Sequence, residues 1–107
     1  MAALPSRYQK LKDKHGAFIN AVEQLGTVVK NEGPLDNKTA LLIQLAGAAA
    51  IRSEGSVHSH VKRALEAGAT KEEISHAVIL LASVMGFPQV AAALSWIEDV
   101  FETQQGE

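Results

Sequence analysis

The run LLIQLAGAAAI, residues 41–51, constrains the fold more than any other stretch, because Gln44 is its only strongly polar side chain. A helix that is apolar on nearly every side must be covered on most of its faces. HAVILLASVM, residues 76–85, makes the same demand a second time. A chain of 107 residues buries roughly two thirds of the surface it exposes when unfolded, and two such helices are more than it can easily bury alone, the alternative being a monomer whose outer helices wrap both inner ones. The short Ala- and Gly-rich stretches also permit close helix approach. A homo-oligomer is therefore expected.

The rest of the chain reads as helix as well, with no convincing strand. Pro5 suits a first turn, and Tyr8, Leu11, Phe18, Ile19, Val22 and Leu25 recur at helical spacing, with a break at His15-Gly16. NEGPLD, residues 31–36, is a loop in which Asp36 is placed to cap the helix that begins at Asn37 and runs to about Arg52. After SEGS a helix runs from about Gly55 to Ala67 and stops at Gly68, a residue suited to the left-handed conformation of a helix end. Thr70 and Glu73 have capping-box spacing, so a new helix starts there and continues through HAVILLASVM. Gly86-Phe87-Pro88 ends it, and Pro88 opens the last helix, QVAAALSWIEDVF. The expected fold class is all-α, a single domain over residues 1–107 with five to six helices. Trp96, with Leu94, Ile97 and Val100, reads as packing, and Glu98 to Glu107 as a solvated end.

Charge and composition exclude several functions. The net charge is −2 and the basic residues are scattered, which gives nucleic acid no electrostatic surface. The apolar runs fall short of the roughly 20 residues of a membrane span, and MAALPSRYQKLKDK lacks the apolar core of a secretory signal. A cytoplasmic protein is expected. The chain contains no cysteine, which removes disulfides, thiolate metal sites and any thiol redox mechanism carried by this chain alone.

PLDNKTALLIQLAGAAA, then HVKRALEAGATKEEI after a polar break, then an apolar helix ending in GFP, resembles the carboxymuconolactone decarboxylase and alkylhydroperoxidase D-like family over about residues 33–100. The resemblance implies an alkylhydroperoxidase D-like helical fold around a buried helical hairpin, assembled as trimers or hexamers. It also implies where redox residues would stand. Aligned on His60, the two cysteines of the peroxidase branch fall on Ser53 and Ser56, and its upstream Glu falls on Leu41. A serine hydroxyl cannot cycle through sulfenic acid and disulfide, so peroxiredoxin activity is not supported. The decarboxylase branch is the nearer comparison; it keeps a histidine at the His60 position, often with a carboxylate just before it, a role for which Glu54 is the candidate.

SEGSVHSH, residues 53–60, is thus the candidate site. On a helix, Val57, Val61, Ala64 and Leu65 form a core face, with His60 on one flank beside Ser53 and Ser56 and His58 on the other, roughly 200 degrees away. One reading is lyase- or isomerase-type proton transfer on a small acidic or carbonyl compound, needing no cofactor. In it His60 moves the proton, Ser53 or Ser56 holds the substrate, and Arg52 or Arg63 meets its carboxylate. A second is a metal- or small-ligand-binding protein in which His58, His60 and His76 hold a divalent transition metal. This needs a non-helical turn or donors from two subunits, because His58 and His60 diverge. A third is a family member without catalysis, in which His60 is satisfied by Ser56 and a backbone carbonyl. His76 shares a helix face with Ile79, Leu80 and Ser83, which points it inward or into a subunit contact.

Overall fold

The computed structural model describes residues 7–105 and, among them, contains helices and no strand. The helices are α1 (Arg7–Lys14), α2 (Gly16–Lys30), α3 (Asn37–Ala50), α4 (Glu54–Glu66), α5 (Lys71–Ile79), α6 (Ala82–Met85) and α7 (Phe87–Gln105). The all-α expectation holds. Pro5, Gly106 and Glu107 lie outside the described residues; the end expected to be solvated from Glu98 onward is instead part of α7 to Gln105, with Val100 and Phe101 buried in the core. By internal packing the chain divides into two compact units, Met1–Leu35 and Asp36–Glu107.

In the first unit the break at His15 separates α1 from α2 as the sequence suggests. Glu23 of α2 draws them together, accepting a 2.6 Å hydrogen bond from the Tyr8 hydroxyl and pairing with Lys12 at 3.3 Å. Ile19 is buried, yet Phe18, Leu25 and Val28 are each more than 60 % exposed. The amphipathic spacing of this unit is real, but most of its apolar stripe stays uncovered.

The second unit holds the main core. Leu41, Leu45, Ala48 and Ala49 of α3 line one face, Val57, Val61 and Ala64 form the stripe of α4, and Ile74 and Val78 project from α5. Val90, Ala93, Ile97, Val100 and Phe101 close the core from α7. Helix α3 packs on α4 and α5, and both of these pack on α7. Alanines at 48, 49, 64 and 93 let the axes approach closely, and Trp96 packs partly buried against the cluster. The other side of α3 remains open, with Ile43 54 % exposed and Ile51 76 %.

The long helix expected from Thr70 through Met85 is interrupted. At Leu80 and Leu81 the Leu81 amide bonds the Val78 carbonyl and the Val84 amide bonds the Leu81 carbonyl at 2.8 Å, a three-residue spacing that tightens the chain and sets off α6. No Gly or Pro stands there to announce the break. Leu80 and Val84 are 60 % and 77 % exposed, while Leu81 and Met85 pack against the core cluster.

Helix ends follow local chemistry more closely. The Asp36 carboxylate accepts from the Thr39 amide at 2.8 Å. Thr70 and Glu73 complete a capping box, with bonds of 3.0 and 2.9 Å in the two directions. The second oxygen of Glu73 meets Lys38 at 3.0 Å, tying the start of α5 to the start of α3. Hydrogen bonding from the Thr70 amide first, then Lys38, holds the Glu73 carboxyl below its ordinary range. Hydrogen bonding from Thr39 does the same for Asp36. Both groups bind protons more readily when the chain is unfolded, so their contribution is fully present above the ordinary carboxylate range and is lost as pH falls through the depressed values. Urea midpoints measured from about pH 7 down to about pH 3 are expected to fall, and to fall less steeply in Glu73→Gln than in the parent protein; equal slopes would remove Glu73 from the acid response.

Candidate functional site

The site is built where α3 hands over to α4. Helix α3 ends in a paired motif: the Ser53 amide reaches back to the Ala48 carbonyl at 3.0 Å and the Arg52 amide to Ala49 at 3.1 Å. Helix α4 ends the same way, with Ala69 bonded to Ala64 and Gly68 to Leu65. The motif needs a left-handed residue, which in α4 is Gly68 at φ 95° and in α3 is Arg52 at φ 60°. Among the described residues Arg52 is the only non-glycine with positive φ, a conformation that costs an L-residue about 1–2 kcal/mol. Such strain tends to gather where a side chain has work to do, and Arg52 is exposed beside the start of α4.

Helix α4 starts at Glu54, with Ser53 as its N-cap. The Ser53 hydroxyl makes no capping bond. One turn on, the His60 Nδ1 lies 2.8 Å from the Ser56 carbonyl oxygen and 3.2 Å from the Ser56 hydroxyl. A carbonyl only accepts, so Nδ1 carries the proton in the neutral ring and the lone pair is left on Nε2. Among the described residues Nε2 has no partner, and it is not sealed from solvent. Ser56 and His60 are both half-buried. Their pairing, expected from the four-residue spacing, is therefore present.

Glu54 turns elsewhere. Its carboxylate is 3.8 Å from His58 Nε2, four residues along the same helix, and Asp99 of α7 approaches the same nitrogen at 3.8 Å. The carboxylate expected to serve His60 thus faces the other histidine. His76 lies on α5, in an open groove of about 310 Å³ between α3 and α5 that is also lined by Thr39, Leu42, Ile43, Glu73 and Leu80. It is exposed and does not point into the core, as are Ile79 and Leu80. Within one chain His58, His60 and His76 do not converge: among the described residues the one set of three metal-capable side chains is Glu54, His58 and Asp99. Arg63 is exposed in the last turn of α4, where its charge complements the carbonyl end of the helix.

Asp99 was not visible to sequence reasoning. Nothing in the pattern links it to a histidine 41 positions earlier, although Glu54 and His58 at i, i+4 already announce half of the arrangement.

The model of the carboxymuconolactone decarboxylase family matches residues 16–99, beginning well ahead of the expected start near residue 33. Among solved structures, the chain is similar to apo-lpg0406, a carboxymuconolactone decarboxylase family protein from Legionella pneumophila. The two are 25 % identical, the match covers 87 % of this chain and 83 % of the other, and the TM-score is 0.76. No protein of curated function matches at a significant level. No helix among the described residues is long and apolar enough to cross a membrane.

If Arg52 is held at its left-handed position for its side chain, Arg52→Gly is expected to relieve the backbone and raise stability in urea denaturation by up to about 1 kcal/mol. A loss of stability would show instead that contacts of the guanidinium outweigh the strain.

Proposed function

Because the chain belongs to the carboxymuconolactone decarboxylase family, we propose that it catalyses proton transfer, of lyase or isomerase type, on a small acidic or carbonyl compound. His60 is the group that moves the proton. The observation that carries this reading is the 2.8 Å bond from Nδ1 to the Ser56 carbonyl, which leaves Nε2 as an open acceptor. As Nε2 takes a proton from carbon next to a carbonyl, the ring becomes cationic and the Nδ1 bond to Ser56 strengthens. Returning the proton at another carbon completes an isomerisation and restores the neutral ring; in a decarboxylation the carboxylate leaves as carbon dioxide, the electron pair left on carbon takes a proton from the cationic ring, and water supplies the proton consumed. The hydroxyls of Ser56 and Ser53 hold the substrate's polar groups, and Arg52 faces its carboxylate, with Arg63 as a second cation.

Thiol peroxidase chemistry has no place in this scheme, since the chain holds no cysteine. A direct assay follows carbon-bound hydrogen in heavy water across a panel of small 2-oxo acids and unsaturated lactones. The parent protein is expected to exchange deuterium into at least one compound, and a folded His60→Ala protein to do so about 10²–10⁴ times more slowly. No exchange with the panel, or equal exchange by the variant, would overturn the proposal.

The same reading makes the working form a cytoplasmic homo-oligomer, a trimer or hexamer. Support comes from the apolar side chains left open along α3, α5 and the α6–α7 turn: Ile43, Leu80, Val84 and Phe87 are 54–77 % exposed. Self-association covers such a patch more economically than water does. Sedimentation is expected to give a multiple of 11.4 kDa, with Ile43→Lys and Leu80→Lys together shifting it toward the monomer. A parent protein that sediments at the monomer mass refutes the oligomer.

A further inference from the structure

Apart from the His60–Ser56 pair, the surface where α4 meets α7 presents an arrangement that the proton-transfer scheme does not use. His58 Nε2 is sealed from solvent and has no hydrogen-bond partner. It stands 3.8 Å from an oxygen of Glu54 and 3.8 Å from one of Asp99, too far for a hydrogen bond to either. The donor atoms of all three side chains lie within 4.8 Å of one another. A sealed imidazole nitrogen facing two carboxylates, with no hydrogen bond joining them, is an arrangement that a cation at their centre would complete.

We infer that Glu54, His58 and Asp99 form a divalent transition-metal site, of the zinc or manganese class, at the junction of α4 and α7. One imidazole and two carboxylates are a donor set for borderline and harder first-row ions. Donors bound at about 2.0–2.2 Å around a tetrahedral ion stand roughly 3.4 Å apart, so each His58–carboxylate distance must close by only a few tenths of an ångström. The backbone already sets the framework. Glu54 and His58 are one turn apart on one face of α4, and Asp99 comes from α7, which packs directly on α4. The carboxylates are 56 % and 59 % exposed at their side chains, which leaves the outer side of the ion to water. The site differs from the His58–His60–His76 set: its second and third donors are carboxylates, and all three belong to one chain.

The test is equilibrium dialysis of tag-free, chelator-treated protein against zinc and, separately, manganese, with elemental analysis of the retained metal. One ion per chain is expected for at least one of the two metals. Asp99→Asn and Glu54→Gln, both exposed helix substitutions with little risk to folding, are expected to weaken that binding at least tenfold, and His58→Gln to abolish it. His76→Gln is expected to leave it unchanged. The ¹⁵N resonance of His58 Nε2 should shift on titration with zinc while that of His76 does not. Absence of stoichiometric metal overturns the site. Retained binding in Asp99→Asn, or equal loss in His76→Gln, overturns it as well.

Discussion

The rotational setting of α4 fixes where the two histidine environments of this protein stand. Val57 and Val61 are fully buried, and Ala64 with them, so the helix has one orientation about its own axis. Turning it by a single residue, about 100 degrees, would drive an imidazole into an apolar core, where an unpaired polar group costs several times the worth of a hydrogen bond. With the stripe fixed, His58 and His60 must emerge on opposite flanks. One meets Glu54 and Asp99, the other meets Ser56. Two separate chemical environments two residues apart follow from one packed stripe.

Features written in adjacent residues were legible in the sequence. The Asp36 cap, the Thr70–Glu73 box, the left-handed Gly68 and the Ser56–His60 pairing each depend on a few neighbouring positions, and each is present. What escaped depends on distance or on what is missing. The break at Leu80 carries no Gly or Pro signal, and it turns Leu81 and Met85 to the core while leaving Leu80 and Val84 exposed. Asp99 reaches His58 only because α7 lies against α4, a fact of topology that no spacing rule encodes. The expectation that Glu54 would serve His60 failed for a simpler reason: residues four apart on a helix share a face, and Glu54 is four from His58.

Family membership and chemistry separate cleanly at three positions. At the positions that the resemblance aligns with the redox set of the peroxidase branch, Leu41 is 2 % exposed in the core, Ser53 begins α4 and Ser56 hydrogen-bonds His60. Fold and family therefore set the stage, and the activity must be argued from side chains.

The anchor of His60 is unusual in its economy. Catalytic imidazoles are commonly steered by a carboxylate from a distant element, so their aim degrades when that element shifts. Here the steering group is a main-chain carbonyl one turn back on the same helix. Five consecutive residues, Ser56 to His60, contain both the ring and its guide. The unit is portable: it would keep its orientation on any helix that exposes that flank, and it would stay aimed while neighbouring helices breathe.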